Sequence, residues 1–235
     1  MRYLIKFTKD NSIKYISHLE LMRTIHRMIR RAELPVEYSK GFNPHIILSI
    51  AQPLSVGVYS KGEYMDLNFN EETDEKYIKK KLNENVPTGI KILDVIKVRE
   101  KINNSKVPQA MAAIEAAEYE LVLKCNNTKN IVEKLKELVK KKEWNIIKKG
   151  KKGEKEINIK PMIKNFKYKI QEDELKVKTL VACGSKENLS AQLLGQYIKN
   201  NMEDMNKDSF IHIERQEMFA CESNKFVSLD KYFKQ

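Results

Sequence analysis

Met1-Arg2-Tyr3-Leu4-Ile5-Lys6-Phe7-Thr8-Lys9-Asp10-Asn11-Ser12-Ile13-Lys14-Tyr15-Ile16-Ser17-His18-Leu19-Glu20 opens the chain, and the change of period inside this stretch decides the fold class. The first seven residues alternate as a strand does, which predicts a strand at 2–8. Ser17-His18-Leu19-Glu20 has the form of a capping box, with Ser at the N-cap and Glu three residues on. From there the apolar residues Leu21, Met22, Ile25, Met28, Ile29 and Ala32 share one side of a helical wheel. The helix is expected to run to about Glu33 and stop before Pro35, since a residue ahead of proline avoids helical geometry.

Beyond that helix, strands are expected at 45–51 and 62–69. The second alternates Met65, Leu67 and Phe69 against Tyr64, Asp66 and Asn68. A short Lys-rich helix at 74–85 and the turn Pro87-Thr88-Gly89 lead into a strand at 90–98. This β-α-β-β-α-β order is the ferredoxin-like split βαβ. Composition shifts at 101–117, where Asn103-Asn104-Ser105, Pro108 and an alanine-rich run mark a linker with room for a short helix. A similar order then returns: a strand at 118–125, a helix at 128–143, strands at 144–149, 155–160 and 174–183, a helix at 190–202 and a last strand at 209–217. Segment 161–170 has no clean assignment, and the tail after 218 reads as irregular. The expected fold is α+β, two tandem ferredoxin-like (βαββαβ) units with antiparallel sheets, the second degenerate. The units are 1–100 and 118–235, with 101–117 between them.

The 235 residues hold 44 Lys plus Arg against 32 Asp plus Glu, a formal charge of +12. Hydrophobic residues at 41% with 32% charged describe a globular chain with a real core rather than a disordered one. No stretch approaches the roughly 18–20 apolar residues that cross a bilayer. The N-terminus lacks the continuous apolar region of a signal peptide, so no membrane and a cytoplasmic location are expected. Cysteines 125, 183 and 221 form no CxxC or CxxxCxxC pattern, and the four histidines form no metal-spaced pair. No metal and no cofactor are expected.

The positive charge points to an anionic partner such as nucleic acid, although a Lys-rich, solvated surface is the competing reading. The arginines are more telling than the lysines. Only seven occur, and four of them, Arg23, Arg27, Arg30 and Arg31, lie within nine residues. The wheel sends Arg23, Arg27 and Arg30 away from the apolar side with Arg31 nearby, a stripe of guanidinium forks suited to phosphate oxygens. The turn Lys40-Gly41-Phe42-Asn43-Pro44 then carries Tyr38, Lys40, Asn43 and His45 in one short span beside the helix. Residues 129–169 hold 15 Lys against five Glu. Within them Lys148, Lys149, Lys151 and Lys152 are expected at an exposed hairpin tip that attracts polyanions. His18 falls on the apolar side of the helix start, either as a partly buried histidine or as a site residue paired with His45. Tyr38, Phe42, Tyr59 and Tyr64 are candidates for base stacking, with Phe42 equally able to anchor its loop in the core.

Ile16-Ser17-His18-Leu19-Glu20-Leu21-Met22-Arg23, Arg30-Arg31-Ala32-Glu33-Leu34-Pro35, Tyr38-Ser39-Lys40-Gly41-Phe42-Asn43-Pro44-His45 and Ala51-Gln52-Pro53-Leu54-Ser55-Val56-Gly57 together resemble the radical SAM-linked (radical SAM-associated) family, a bacterial domain of unknown function. Ile157–Pro161 and Gly184–Leu189 are weaker later matches. The resemblance implies association with radical SAM chemistry, and with RNA, because such domains occur alone or fused behind a cobalamin-binding radical SAM domain and are often encoded beside a ribonuclease of the E/G type. This chain has no radical SAM half and no cluster cysteines, so a radical SAM partner would be a separate enzyme.

Three functions compete. The first is a non-catalytic binding module that presents RNA or another anionic substrate to that enzyme. The second is a metal-independent endoribonuclease resembling CRISPR repeat-processing enzymes, with His18 or His45 as acid or base and Lys40 and Tyr38 stabilising charge. Against it, those enzymes carry a glycine-rich loop near the C-terminus, and no glycine follows Gly195 here. The third is a structural or assembly partner that touches no nucleic acid. The substrate, the partner's identity and the oligomeric state leave no trace in the sequence.

Overall fold

The computed structural model describes residues 1–99, 101, 102, 105–150 and 153–234. In chain order the strands are β1 (Arg2–Lys9), β2 (Leu48–Ile50), β3 (Val58–Asn68), β4 (Ile90–Lys97), β5 (Lys101–Ile102), β6 (Ser105–Lys106), β7 (Ile114–Lys124), β8 (Asn145–Gly150), β9 (Gly153–Asn158), β10 (Ile163–Gln171), β11 (Glu174–Ala182), β12 (His212–Glu222) and β13 (Lys225–Ser228). The helices are α1 (His18–Arg31), α2 (Glu75–Asn85), α3 (Ala110–Ala113), α4 (Ile131–Lys140), α5 (Ala191–Asn201) and α6 (Leu229–Phe233). The class is α+β, and every strand pairing with a described register is antiparallel. No helix among the described residues is long and apolar enough to cross a membrane.

The chain divides into two compact units, Met1–Glu115 with Arg215–Gln235 and Ala116–Glu214. The segment after 214 therefore groups with the first hundred residues rather than with 118–214. In the first unit the strand order is β12–β3–β1–β4, with β2 on β3 and β13 on β12. β1 pairs with β3 from Arg2↔Asn68 and with β4 from Tyr3↔Lys97. One face of this sheet carries Tyr3, Ile5, Phe7, Met65 and Leu67 against the apolar stripe Leu21, Ile25, Met28 and Ile29 of α1 and Ile78 and Leu82 of α2. Each such buried side chain contributes about 1.5–3 kcal/mol, which is why the 3.6-residue period of α1 and the twofold period of β1 point into one core.

The other face departs from the alternation read in 62–69. Tyr64 and Asp66 are buried, not solvated. Short helices cover them: α3 lies on β2 and β3, and α6 lies on β1 and β4, with Leu229 and Phe233 fully buried. The tail expected to be irregular is thus the end of β12, β13 and α6. The expected linker 101–117 holds a two-residue β5–β6 hairpin, α3 and the first residues of β7. The strand expected at 45–51 shrinks to Leu48–Ile50, because residues 36–47 instead form bridges and turns.

The second unit has the order β10–β11–β7, with α4 and α5. Its core joins Leu121, Leu123, Leu175 and Val177 with Ile131, Leu135, Leu194 and Ile198. Trp144 donates its indole N–H to the Leu138 carbonyl at 3.0 Å and stacks on Tyr197 at 5.0 Å. Segment 161–170, unassigned from sequence, is β10, the hairpin partner of β11. The expected strands 144–149 and 155–160 pair with each other as the β8–β9 hairpin.

Candidate anion-binding site

The site begins with a helix whose start is tightly specified. The Ser17 hydroxyl accepts from the Glu20 backbone N–H, and the Glu20 carboxylate accepts from the Ser17 N–H at 2.9 Å, a complete capping box. The Ser17 N–H and the Ser17 hydroxyl, which also donates to the carboxylate at 3.0 Å, hold the Glu20 carboxyl below the usual carboxylate range, with a lesser contribution from Arg23. With the start fixed, burial of the Leu21–Ile29 stripe orients the rest. Arg23, Arg27, Arg30 and Arg31 are all exposed. Among the described residues none of the four forms an ion pair within 4.0 Å; Arg27 donates to the Thr24 hydroxyl one turn away at 3.4 Å. Four guanidinium groups thus lie on one helix, with Glu20 acting on Arg23 only beyond ion-pair distance.

The loop after the helix is a braced excursion. Tyr38 bridges Ile46, and the Ser39 N–H donates to the His45 carbonyl at 2.8 Å. The Ser39 hydroxyl takes the His45 N–H at 3.1 Å and lies 3.0 Å from its Nδ1. Glu37 anchors the base, its N–H on the Asn68 carbonyl and its carboxylate accepting from the Asn68 amide. Gly41, at φ 120°, supplies the backbone turn that an L side chain rarely adopts. Lys40, Asn43 and His45 are exposed at the surface. Phe42 is not a core anchor: it is fully exposed, at 112% of its reference area. Tyr38 is 44% exposed, whereas Tyr64 is buried with its hydroxyl donating to Glu217 at 2.7 Å, and so is lost as a stacking candidate.

Helix and loop meet at His26. Partial burial lowers its pKa first, and the charges of Arg30 and His45 lower it further. Arg30 and His45 therefore both lie within electrostatic reach of His26, whose own charge their proximity disfavours. His18 stands apart, since eight residues of helix separate it from His26, a rise of about 12 Å. The structure accordingly groups His45 with Arg30 rather than with His18, whose buried Nδ1 has no hydrogen-bond partner. Lys148 and Lys149 lie in β8, paired opposite Lys155 and Glu154, while Lys151 and Lys152 fall outside the described residues.

Sequence reasoning missed the buried charges of the same unit. Arg215 Nη1 lies 3.0 and 3.1 Å from the two Glu63 oxygens and 2.9 Å from the Gln52 carbonyl. Lys9 donates to the carbonyls of Lys14, Ile16 and Val58, and burial lowers its pKa. These groups tie loops 10–17 and 51–58 to the sheet beneath the helix start. No local signal foretells them, because Glu63 and Arg215 are 152 residues apart. A cavity of about 860 Å³ elsewhere on this unit is also basic. Three of its lining cations are engaged, Arg2 with Asp66, Lys97 with Glu72 and Arg99 with Glu222, while a fourth, Lys106, is exposed. Among the described residues no group of three His, Cys, Asp or Glu could hold a metal ion.

Residues 2–191 match the model of a family described as uncharacterized proteins conserved in bacteria (DUF2344). No curated protein matches the chain. Among solved structures, one chain of a Cbf5-Nop10-Gar1 complex is similar over 92% of this chain, with 11% identity and a TM-score of 0.50. That likeness is one of fold, and this chain spans 48% of the other's length. An unknown protein from Galdieria sulphuraria aligns over 91% of this chain and 96% of its own at 13% identity, with a TM-score of 0.26.

Proposed function

This chain belongs to the DUF2344 family of bacterial proteins, and from that premise we propose that it is a non-catalytic module that binds RNA or another polyanion and presents it to a separate radical SAM enzyme. The observation that carries the binding half is the face of Arg23, Arg27, Arg30 and Arg31, exposed, with no ion pair within 4.0 Å among the described residues, and followed within nine residues by the exposed Lys40. Guanidinium forks on a rigid helix pair with phosphate oxygens two at a time, and the capping box and buried stripe hold that helix still. The resemblance of residues 16–57 to the radical SAM-linked family supplies the enzyme half. The tandem ferredoxin-like reading belongs here too. In the first unit, the order β3–β1–β4 with β2 beside β3 and two helices on one face supports it.

Fluorescence anisotropy with a labelled RNA across a salt series tests the proposal. Binding through phosphates weakens linearly in log salt, and Arg23→Glu with Arg27→Glu should weaken it by roughly 1–3 kcal/mol and flatten the slope. Salt-independent binding, or a double variant that binds as well as the parent, refutes it and leaves the assembly-partner reading.

A further inference from the structure

We infer that the Tyr38–His45 loop is a stacking post for an unpaired base, so that the nucleic acid held on this surface is single-stranded. The inference rests on the anion-binding reading above and names its substrate class. Phe42 is the most exposed of the large hydrophobic side chains, at 112%. At the tip of a braced loop this ring is free of the fold and open to stack on a base. The bracing matters as much as the exposure. The Ser39–His45 bonds and the Tyr38–Ile46 bridge set the loop before any ligand arrives, so little conformational entropy is lost on contact.

The surroundings select the ligand. Between Tyr38 and Ile47 the chain has no acidic residue, and it carries Lys40 and His45. The loop follows the arginine helix directly, Lys40 lying nine residues after Arg31. An aromatic ring framed by cations matches a base above and phosphates beside it, the combination that single-strand binders use. A protein pocket that received Phe42 would have to bury this cationic frame as well. A duplex offers no ring face to a loop tip, because its bases are stacked on one another. Tyr38, at 44% exposure on the closing pair, presents a second ring to the same strand.

The test uses the full chain and two probes, a fluorescein-labelled single-stranded oligouridylate and an RNA duplex of equal length. Phe42→Ala should weaken single-strand binding about fivefold or more, the scale of one lost base stack, with the salt slope unchanged. Phe42→Trp should restore it, and duplex binding should respond to neither. Circular dichroism should show the same melting for all three proteins, since Phe42 packs against nothing. Should Phe42→Ala bind the single strand as the parent does while Arg23→Glu with Arg27→Glu fails to bind, the stacking post is refuted and the anion face stands. Equal losses on both probes would also refute it, making Phe42 a loop-shaping residue. If the parent binds neither probe, the binding reading itself falls.

Discussion

Replacing Arg215 with Met tests how the first unit is held together. Arg215 and Glu63 are 2% and 1% exposed, and the guanidinium reaches both carboxylate oxygens and the Gln52 carbonyl. Methionine matches the aliphatic part of Arg but leaves Glu63 buried without its main partner. Breaking a buried ion pair from one side costs about 3–5 kcal/mol, a large share of a typical stability of about 5–15 kcal/mol. Lys9 also feels the Glu63 charge and partly compensates, which puts the loss at the lower end, about 3 kcal/mol. At this chain length such a loss lowers the melting temperature by roughly 6–12 °C. The double variant Arg215→Met with Glu63→Leu removes both charges and should recover most of it, leaving about 1 kcal/mol for the unpaired Gln52 carbonyl. Scanning calorimetry on the parent, both single variants and the double variant reads this directly. A single-variant loss below about 1 kcal/mol, or losses that simply add, would refute the claim that the charges depend on each other.

Gly89 sits at φ 92°, where a Cβ would come within 2.8 Å of Ile13, so Gly89→Ala should destabilise by more than about 1 kcal/mol in urea unfolding; an unchanged midpoint would show that the turn yields freely. His26 should titrate below its ordinary 6.5 in a two-dimensional NMR series. Its depressed pKa contributes stability present above pH 6.5 and lost as pH falls through the folded value, and His45→Ala should raise that value without restoring it fully, since burial is the larger cause. A value that does not move would separate the loop from the helix. Asp66 is pushed above 3.8 by burial, against the Ala110 N–H and Arg2. Its contribution is fully present below 3.8 and lost as pH rises through the raised value, so Asp66→Asn should flatten stability against pH in that window, measured by thermal melts from acid to neutral.

The candidate site was legible in unusual detail because its determinants are local. A capping box fixes a helix start within four residues, and an apolar stripe fixes which side is buried, so the outward course of the four arginines follows from spacing alone. Phe42 was not legible. A Phe within a Gly-Phe-Asn-Pro turn is equally consistent with an anchor and with a post, and only the tertiary structure shows it exposed to solvent.

The sequence by itself determined the elements with strong internal periodicity: β1, α1, α2, β4, β7 and β11, each of which carries a regularly spaced apolar face in its own residues. It could not determine what closes the second face of the first sheet. Tyr64 and Asp66 stand opposite Met65, Leu67 and Phe69 in the alternation of 62–69, yet Glu217 and the Ala110 N–H meet them from 153 and 44 residues away. The C-terminal segment likewise has no strong period of its own. β13 and α6 are short, and their order comes from Leu229 and Phe233 being buried on strands laid down at the start of the chain. Local patterns encode which side of an element is apolar; which distant segment covers the remaining polar side is an energy of long-range packing and hydrogen bonding, and only the tertiary structure expresses it.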